Sequence, residues 1–329
     1  MPSRPPQRPV AAAPRTASPP RVTTPAPAAA ARGRAPRRRG RVVRAVAGTA
    51  AFAAVATGAG LGVAAYLGHL DTEPLVVRCA ATLEGTDWYL ETDQADTAAL
   101  LAATSVRRGL PARATTIAIA TGMQESRLRN IDYGDRDSLG IFQQRPSQGW
   151  GTPEQVMDPV YATNAFYDGL VKVAGYEEMA VTEAAQAVQR SGFPDAYAQH
   201  EASARAWASA MYGYAPGALT CTLPPPEAAG DPAAMAARVE RDLGGLPLTH
   251  GAADEGGATL DVDAGVLGSD EDAERMAWIV AHWAVSVAAP HDVVLVQHGA
   301  TAWDRDGGAW DAAEGDPVPT GVVRITLAG

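Results

Sequence analysis

Between residues 90 and 215 the apolar positions recur at helical spacing. In "PARATTIAIATGMQESRLRN", Ile117, Ala120, Thr121, Gln124 and Leu128 fall on one stripe. The preceding "DQADTAALLAATSVRRG" reads as a capped helix ending at Gly109, with Pro111 where a first-turn proline is tolerated. "DPVYATNAFYDGLVKV", "TEAAQAVQRS" and "PDAYAQHEASARAWASAMYG" add helices, each opened by Asp, Thr or Pro. The pattern predicts an all-α domain over residues 90–221.

Residues 222–232 are a Pro-rich linker by composition, and the texture changes beyond them. "AAMAARVERDLGG" is helical, and "SDEDAERMAWIVAHWAV" is a helix with a capping-box start at Ser269 and Asp272. "ATLDVDA", "DVVLVQHG" and "GVVRITL" read as strands. Residues 233–329 are therefore expected to form a small α/β domain, and the chain shows no internal repeat.

Charge separates the chain further. Residues 1–70 hold 11 of the 27 basic residues and no acidic one, so the other 16 stand against all 37 acidic residues over 71–329, a net of −21. An acidic body argues against nucleic acid as a partner. Residues 1–44, rich in Pro, Ala and Arg, lack the apolar side chains that would offset ordering and read as a disordered basic tail. From Ala45 to Gly68 no residue is charged over 24 positions, enough for one transmembrane helix, with a stalk following over 69–89. The basic flank places the tail in the cytoplasm and both domains outside; a cleaved export signal is the rival reading, and both export the body. One spanning helix excludes a transporter, which needs a bundle around a polar path.

Two cysteines, Cys79 and Cys221, lie 142 positions apart on the exported side and suit a disulfide in an oxidising compartment. Closing so large a loop contributes up to about 5 kcal/mol in the chain-entropy model. Two free thiols are the alternative.

Candidate chemistry centres on Glu125, a lone carboxyl in the last turn of its predicted helix. Helix carbonyls and apolar neighbours such as Met123 and Ile141 favour its protonated form, and a protonated acid can donate to a glycosidic oxygen. Arg127 and Arg129 oppose this if they point toward it. A lone helix Glu is otherwise a solvated face residue. Here "QES" is followed about fifteen residues on by "GIFQQ", and the pair resembles the Glu-Ser and Gly-Leu-Phe-Gln motifs of soluble lytic transglycosylases and goose-type lysozymes. More narrowly, residues 90–213 resemble membrane-anchored lysozyme-like proteins of high-G+C Gram-positive bacteria.

That resemblance implies a lysozyme-like fold, peptidoglycan as substrate and partner, and Glu125 as general acid/base. It implies that Ser126 supports the Glu, while Gly140, Ile141, Phe142 and Gln143 form a cleft segment holding N-acetylated sugars. Phe142 reads equally as core; Gln143 and Gln144 are harder to explain as core, since a buried amide needs several partners. Where these enzymes carry Tyr-Asn-Ala-Gly, this chain reads "QRSG", with Gln189 in place of the tyrosine that approaches the catalytic carboxyl.

Asp132, Asp135 and Asp137 follow the helix as turn residues, with Asp135 or Asp137 the candidate to orient a water; they lack calcium-loop spacing. Lytic transglycosylases need no second carboxylate, because the sugar's C6 hydroxyl closes a 1,6-anhydro ring. Trp150, Tyr161, Tyr167, Tyr197 and Trp207 could line a sugar cleft by stacking, or pack as core.

Residues 233–329, through "MAWIVAHWAV", "HDVVLVQHG" and "TAWDRDGGAW", distantly resemble a module related to zinc D-alanyl-D-alanine peptidases. The strand that should carry Asp-His-x-His reads Gly321, Val322, Val323, Arg324, and His250, His282, His291 and His298 show no ligand spacing. The expectation is no metal, no cofactor and no peptidase activity, with binding to wall or partner open. Two functions follow: an enzyme cleaving peptidoglycan glycan strands, as lytic transglycosylase or muramidase, or a wall-binding or morphogenetic module that keeps the cleft without turnover.

Overall fold

The computed structural model describes residues 75–329, apart from Pro194 and residues 254–256. The expected basic tail and spanning helix lie outside the described residues. Among the described residues no helix is long and apolar enough to cross a membrane.

The expected class, an all-α domain followed by a small α/β domain, is overturned: the described chain is mixed α/β, with eight α-helices and two sheets among the described residues. Three strands frame the helical region. β1 (Arg78–Leu83) and β2 (Thr86–Leu90) form a hairpin across a two-residue turn at Glu84 and Gly85, within the stretch expected to be stalk. β3 (Leu219–Thr222) pairs with the other edge of β1, so the sheet runs β2-β1-β3. Cys79 lies directly opposite Cys221 in that pairing, and the two form a disulfide. The ends of the helical region are thus tied by a sheet, which helical periodicity alone does not reveal.

Inside this frame the helices fall close to where the spacing predicts. They are α1 (Thr92–Arg107), α2 (Ala112–Ser126), the short α3 (Pro153–Met157), α4 (Pro159–Leu170), α5 (Val181–Gln189) and α6 (Glu201–Met211). Helix α2 is central: Ala114 to Gly122 are all buried, and it packs on α1, α5 and α6. The Asp158 carboxylate accepts from the backbone N–H groups of Val160 and Tyr161 at 2.8 and 3.0 Å, which starts α4.

The C-terminal part is a six-stranded antiparallel sheet with two helices, α7 (Pro232–Leu243) and α8 (Ala273–Ser286). Its strands are β4 (Leu248–Ala252), β5 (Ala258–Asp263), β6 (Val293–His298), β7 (Thr301–Asp304), β8 (Ala309–Ala312) and β9 (Val322–Leu327), ordered β4-β5-β9-β6-β7-β8. Every residue of α8 from Met276 to Ser286 is buried. A helix apolar on all sides must be enclosed, and α8 is: it contacts β6 and β9 as well as α1, α6 and β3. The two regions expected as separate domains therefore belong to one unit of packed residues.

A buried ion cluster crosses the same junction. Arg238 of α7 pairs with Asp96 of α1 and, at 2.7 Å, with Asp242, which also accepts from Trp283 of α8 at 3.1 Å. His282 of α8 donates from Nδ1 to the Ala210 carbonyl of α6 at 2.7 Å, the tautomer that this acceptor requires.

Candidate active site

Glu125 sits in the last turn of α2, and the helix stops just beyond it because the chain enters two left-handed residues, Arg127 (φ 56°) and Leu128 (φ 60°). Such backbone costs a non-glycine residue about 1–2 kcal/mol each. Burial of Leu128, 0% exposed, offsets much of it. Leu128 folds back over Gly122, where a Cβ would come within 2.7 Å of the Leu128 Cδ2 and 3.4 Å of the Ile141 Cγ2. Absence of a side chain at Gly122 lets the following loop approach the helix one turn before the acid.

That loop closes as a tight hairpin in which Leu139 and Gln144 exchange both backbone hydrogen bonds at 3.0 Å. Gly140 turns it with φ 75°, and a Cβ there would stand 2.6 Å from the Val156 carbonyl oxygen. Ser126 Oγ donates to the Ile141 carbonyl at 2.7 Å and accepts from the Arg129 N–H at 3.1 Å. Gln189 Nε2, at the end of α5, donates to the Phe142 carbonyl at 2.7 Å. Ser126 thus fastens the hairpin to the helix that carries Glu125, and Gln189 fastens it to α5.

Several residues expected to hold sugar prove to be internal struts. Ile141 and Phe142 are buried, and Phe142 stacks on Phe166 with ring centroids 4.3 Å apart. Gln144 is 2% exposed and donates to the Ala162 carbonyl at 3.2 Å. Gln143 is half-buried and donates to the Tyr133 and Gly140 carbonyls, both at 3.2 Å. The segment shapes the site mainly by holding it; the Ile141 and Phe142 carbonyls already accept internal hydrogen bonds.

Glu125 itself is half-buried, and its Oε1 accepts the Tyr197 hydroxyl at 2.7 Å. Burial holds the carboxyl above its ordinary value of 4.5, while hydrogen bonds from Tyr197 and Gln189 act more weakly the other way. Arg129 turns away to Glu91 at 2.6 Å and Asp93 at 2.7 Å, and Arg127 is exposed. Burial also pushes the Tyr197 phenol up, which keeps it a donor.

A phenol reaches the carboxyl, then, although residue 189 is Gln. It comes from the turn before the 3₁₀ segment Ala198–His200, within a stretch whose pattern had read as continuous helix from "PDAY" onward. The signal was present in the order of residues: a tyrosine a few positions beyond "QRSG".

Of the loop aspartates, Asp137 accepts from the Ser147 N–H at 2.7 Å, the Ser147 hydroxyl at 3.0 Å and Arg145 at 2.9 Å. Those bonds hold its carboxyl well below the usual carboxylate range. Asp132 and Asp135 are exposed. Past Gln189 opens a groove of about 870 Å³ whose lining includes Trp150, Tyr161, Asp168, Lys172 and Arg190. Tyr167 and Trp207, expected either to line a sugar cleft or to pack as core, are fully buried and donate to the carbonyls of Leu101 and Trp88 at 2.9 and 3.0 Å.

Among the described residues no group of three or more His, Cys, Asp or Glu side chains is placed to hold a metal ion. Of the C-terminal histidines, His298 approaches Glu274 at 2.9 Å and His250 is exposed. The chain matches no family model, and no curated protein matches it.

Proposed function

We propose that the chain cleaves the glycan strands of peptidoglycan outside the cytoplasm, with Glu125 as general acid and then base. The observation that carries this reading is the carboxyl of Glu125: half-buried, raised above 4.5 by burial, and oriented by the Tyr197 hydroxyl at 2.7 Å. The likeness of "QES" and "GIFQQ" to lytic transglycosylase motifs supports the substrate class, and the Cys79–Cys221 disulfide supports an oxidising compartment.

In this reading protonated Glu125 gives its proton to the glycosidic oxygen, the C1–O bond breaks with its electron pair leaving on that oxygen, and positive charge develops at C1 and the ring oxygen. Tyr197 then donates to the carboxylate so formed, which disperses the new charge. The carboxylate next takes the proton of the C6 hydroxyl as that oxygen closes on C1, restoring the acid. One carboxyl suffices for this course. The engagement of Asp137 with Ser147 and Arg145 favours it over hydrolysis through a second carboxylate.

Purified wall incubated with the parent and with Glu125→Gln tests the proposal. The expectation is release of fragments with 1,6-anhydro ends by the parent alone, read by mass spectrometry. Equal release by both proteins excludes Glu125 as the acid. Retention on wall with no release by the parent selects a binding or morphogenetic role instead.

A further inference from the structure

The groove past Gln189 differs in charge from the rest of an acidic body. Lys172 and Arg190 stand in its lining, both exposed and without an ion-pair partner among the described residues. Asp168, a carboxylate in the same lining, is held by Arg108 at 2.6 Å, which neutralises it. The net charge of residues 71–329 is −21, so a bare pair of cations in a groove marks where an anionic group is drawn in against general repulsion.

The position of the pair links it to the acid. Arg190 is the left-handed cap of α5 (φ 52°), directly after Gln189, whose amide holds the Phe142 carbonyl and acts on Glu125. Trp150 and Tyr161 line the same groove. A guanidinium, an ammonium and aromatic side chains together suit a carboxylate on a chain that also has apolar and amide groups.

We propose that this groove binds the peptide stem of the glycan strand, with Lys172 and Arg190 receiving a stem carboxylate. The inference rests on the reading of peptidoglycan as substrate, and it makes stem-bearing strands preferred over bare ones.

The test measures binding by full-length Glu125→Gln, alone and combined with Lys172→Gln and Arg190→Gln. The probes are purified uncross-linked strands, free of phosphodiester polymer, with stems intact or removed by an amidase. Glu125→Gln is expected to bind stem-bearing strands about tenfold more tightly at low salt, with the preference shrinking as salt rises. The triple variant is expected to bring the ratio of affinities near one.

A ratio near one before the cations are removed, or a preference that survives their removal, overturns the proposal. So does a preference that appears only on wall still carrying phosphodiester polymer. If the parent cleaves neither strand yet the preference is present and vanishes in the triple variant, the groove stands and cleavage falls. If the parent cleaves both strands equally and no binding preference is found, cleavage stands and the groove falls.

Discussion

At the scale of single residues, the site is governed by how far Glu125 is removed from water. Its proton is held more tightly in the folded chain than in the unfolded one, so ionisation opposes folding. The sign follows: below about 4.5 both states are protonated and nothing is lost; as pH climbs from 4.5 through the raised folded value, stability falls and then levels. Glu125→Gln has no such loss and can still accept from Tyr197. Urea midpoints from pH 4 to pH 8 should therefore show the variant gaining on the parent as pH rises; a difference independent of pH would contradict the assignment. The motif around Glu125 was legible because it is local in sequence. Tyr197 lies 72 positions away, and only the packing of α2 against the segment before α6 brings them together.

At the scale of elements, the hairpin at residues 139–144 is the device that fixes the acid's surroundings. Gly140→Ala places a β-carbon 2.6 Å from a backbone oxygen in a residue with φ 75°. The expected loss is about 2–4 kcal/mol by chemical denaturation, combining left-handed strain with overpacking. A loss near zero would mean that the loop is free to shift.

The helices could be read because stripes such as Ile117, Ala120 and Thr121 repeat over whole turns. The strands β1 and β2 could not, since "RCAATL" and "TDWYL" carry only a few residues each and the pairing of β1 with β3 joins chain segments about 140 positions apart. The short β4, β7 and β8 escaped for the same reason, whereas Val- and Ile-rich β6 and β9 announced themselves. The role of Ile141, Phe142 and Gln144 as struts was likewise hidden, because motif likeness names residues without saying which way they face.

For the whole molecule, the linker at 222–232 led to an expectation of two domains, but α8 and the Arg238 cluster bind the halves into one unit. Composition marks a linker; it does not show what packs across it. Arg238→Met would leave Asp242, whose side chain is 0% exposed, with Arg241 at 2.7 Å as its remaining counter-ion, and would free Asp96 of α1. A loss of about 1.5–3 kcal/mol in unfolding free energy is expected, since charge-assisted bonds across the junction go while Arg241 still compensates the buried carboxylate. An unchanged denaturation midpoint would show that the cluster contributes nothing to joining α1, α7 and α8.

These scales meet in the protonation of one side chain. An NMR titration that follows the ¹³C resonance of the Glu125 carboxyl in the folded protein, with Glu125→Gln to assign the peak, measures it directly. An inflection above 4.5, rising further when Tyr197→Phe removes the phenol's hydrogen bond, is the result expected from burial with a weaker opposing donor. An inflection at or below 4.5 would contradict the account, because Glu125 would then hold no proton in reserve to give.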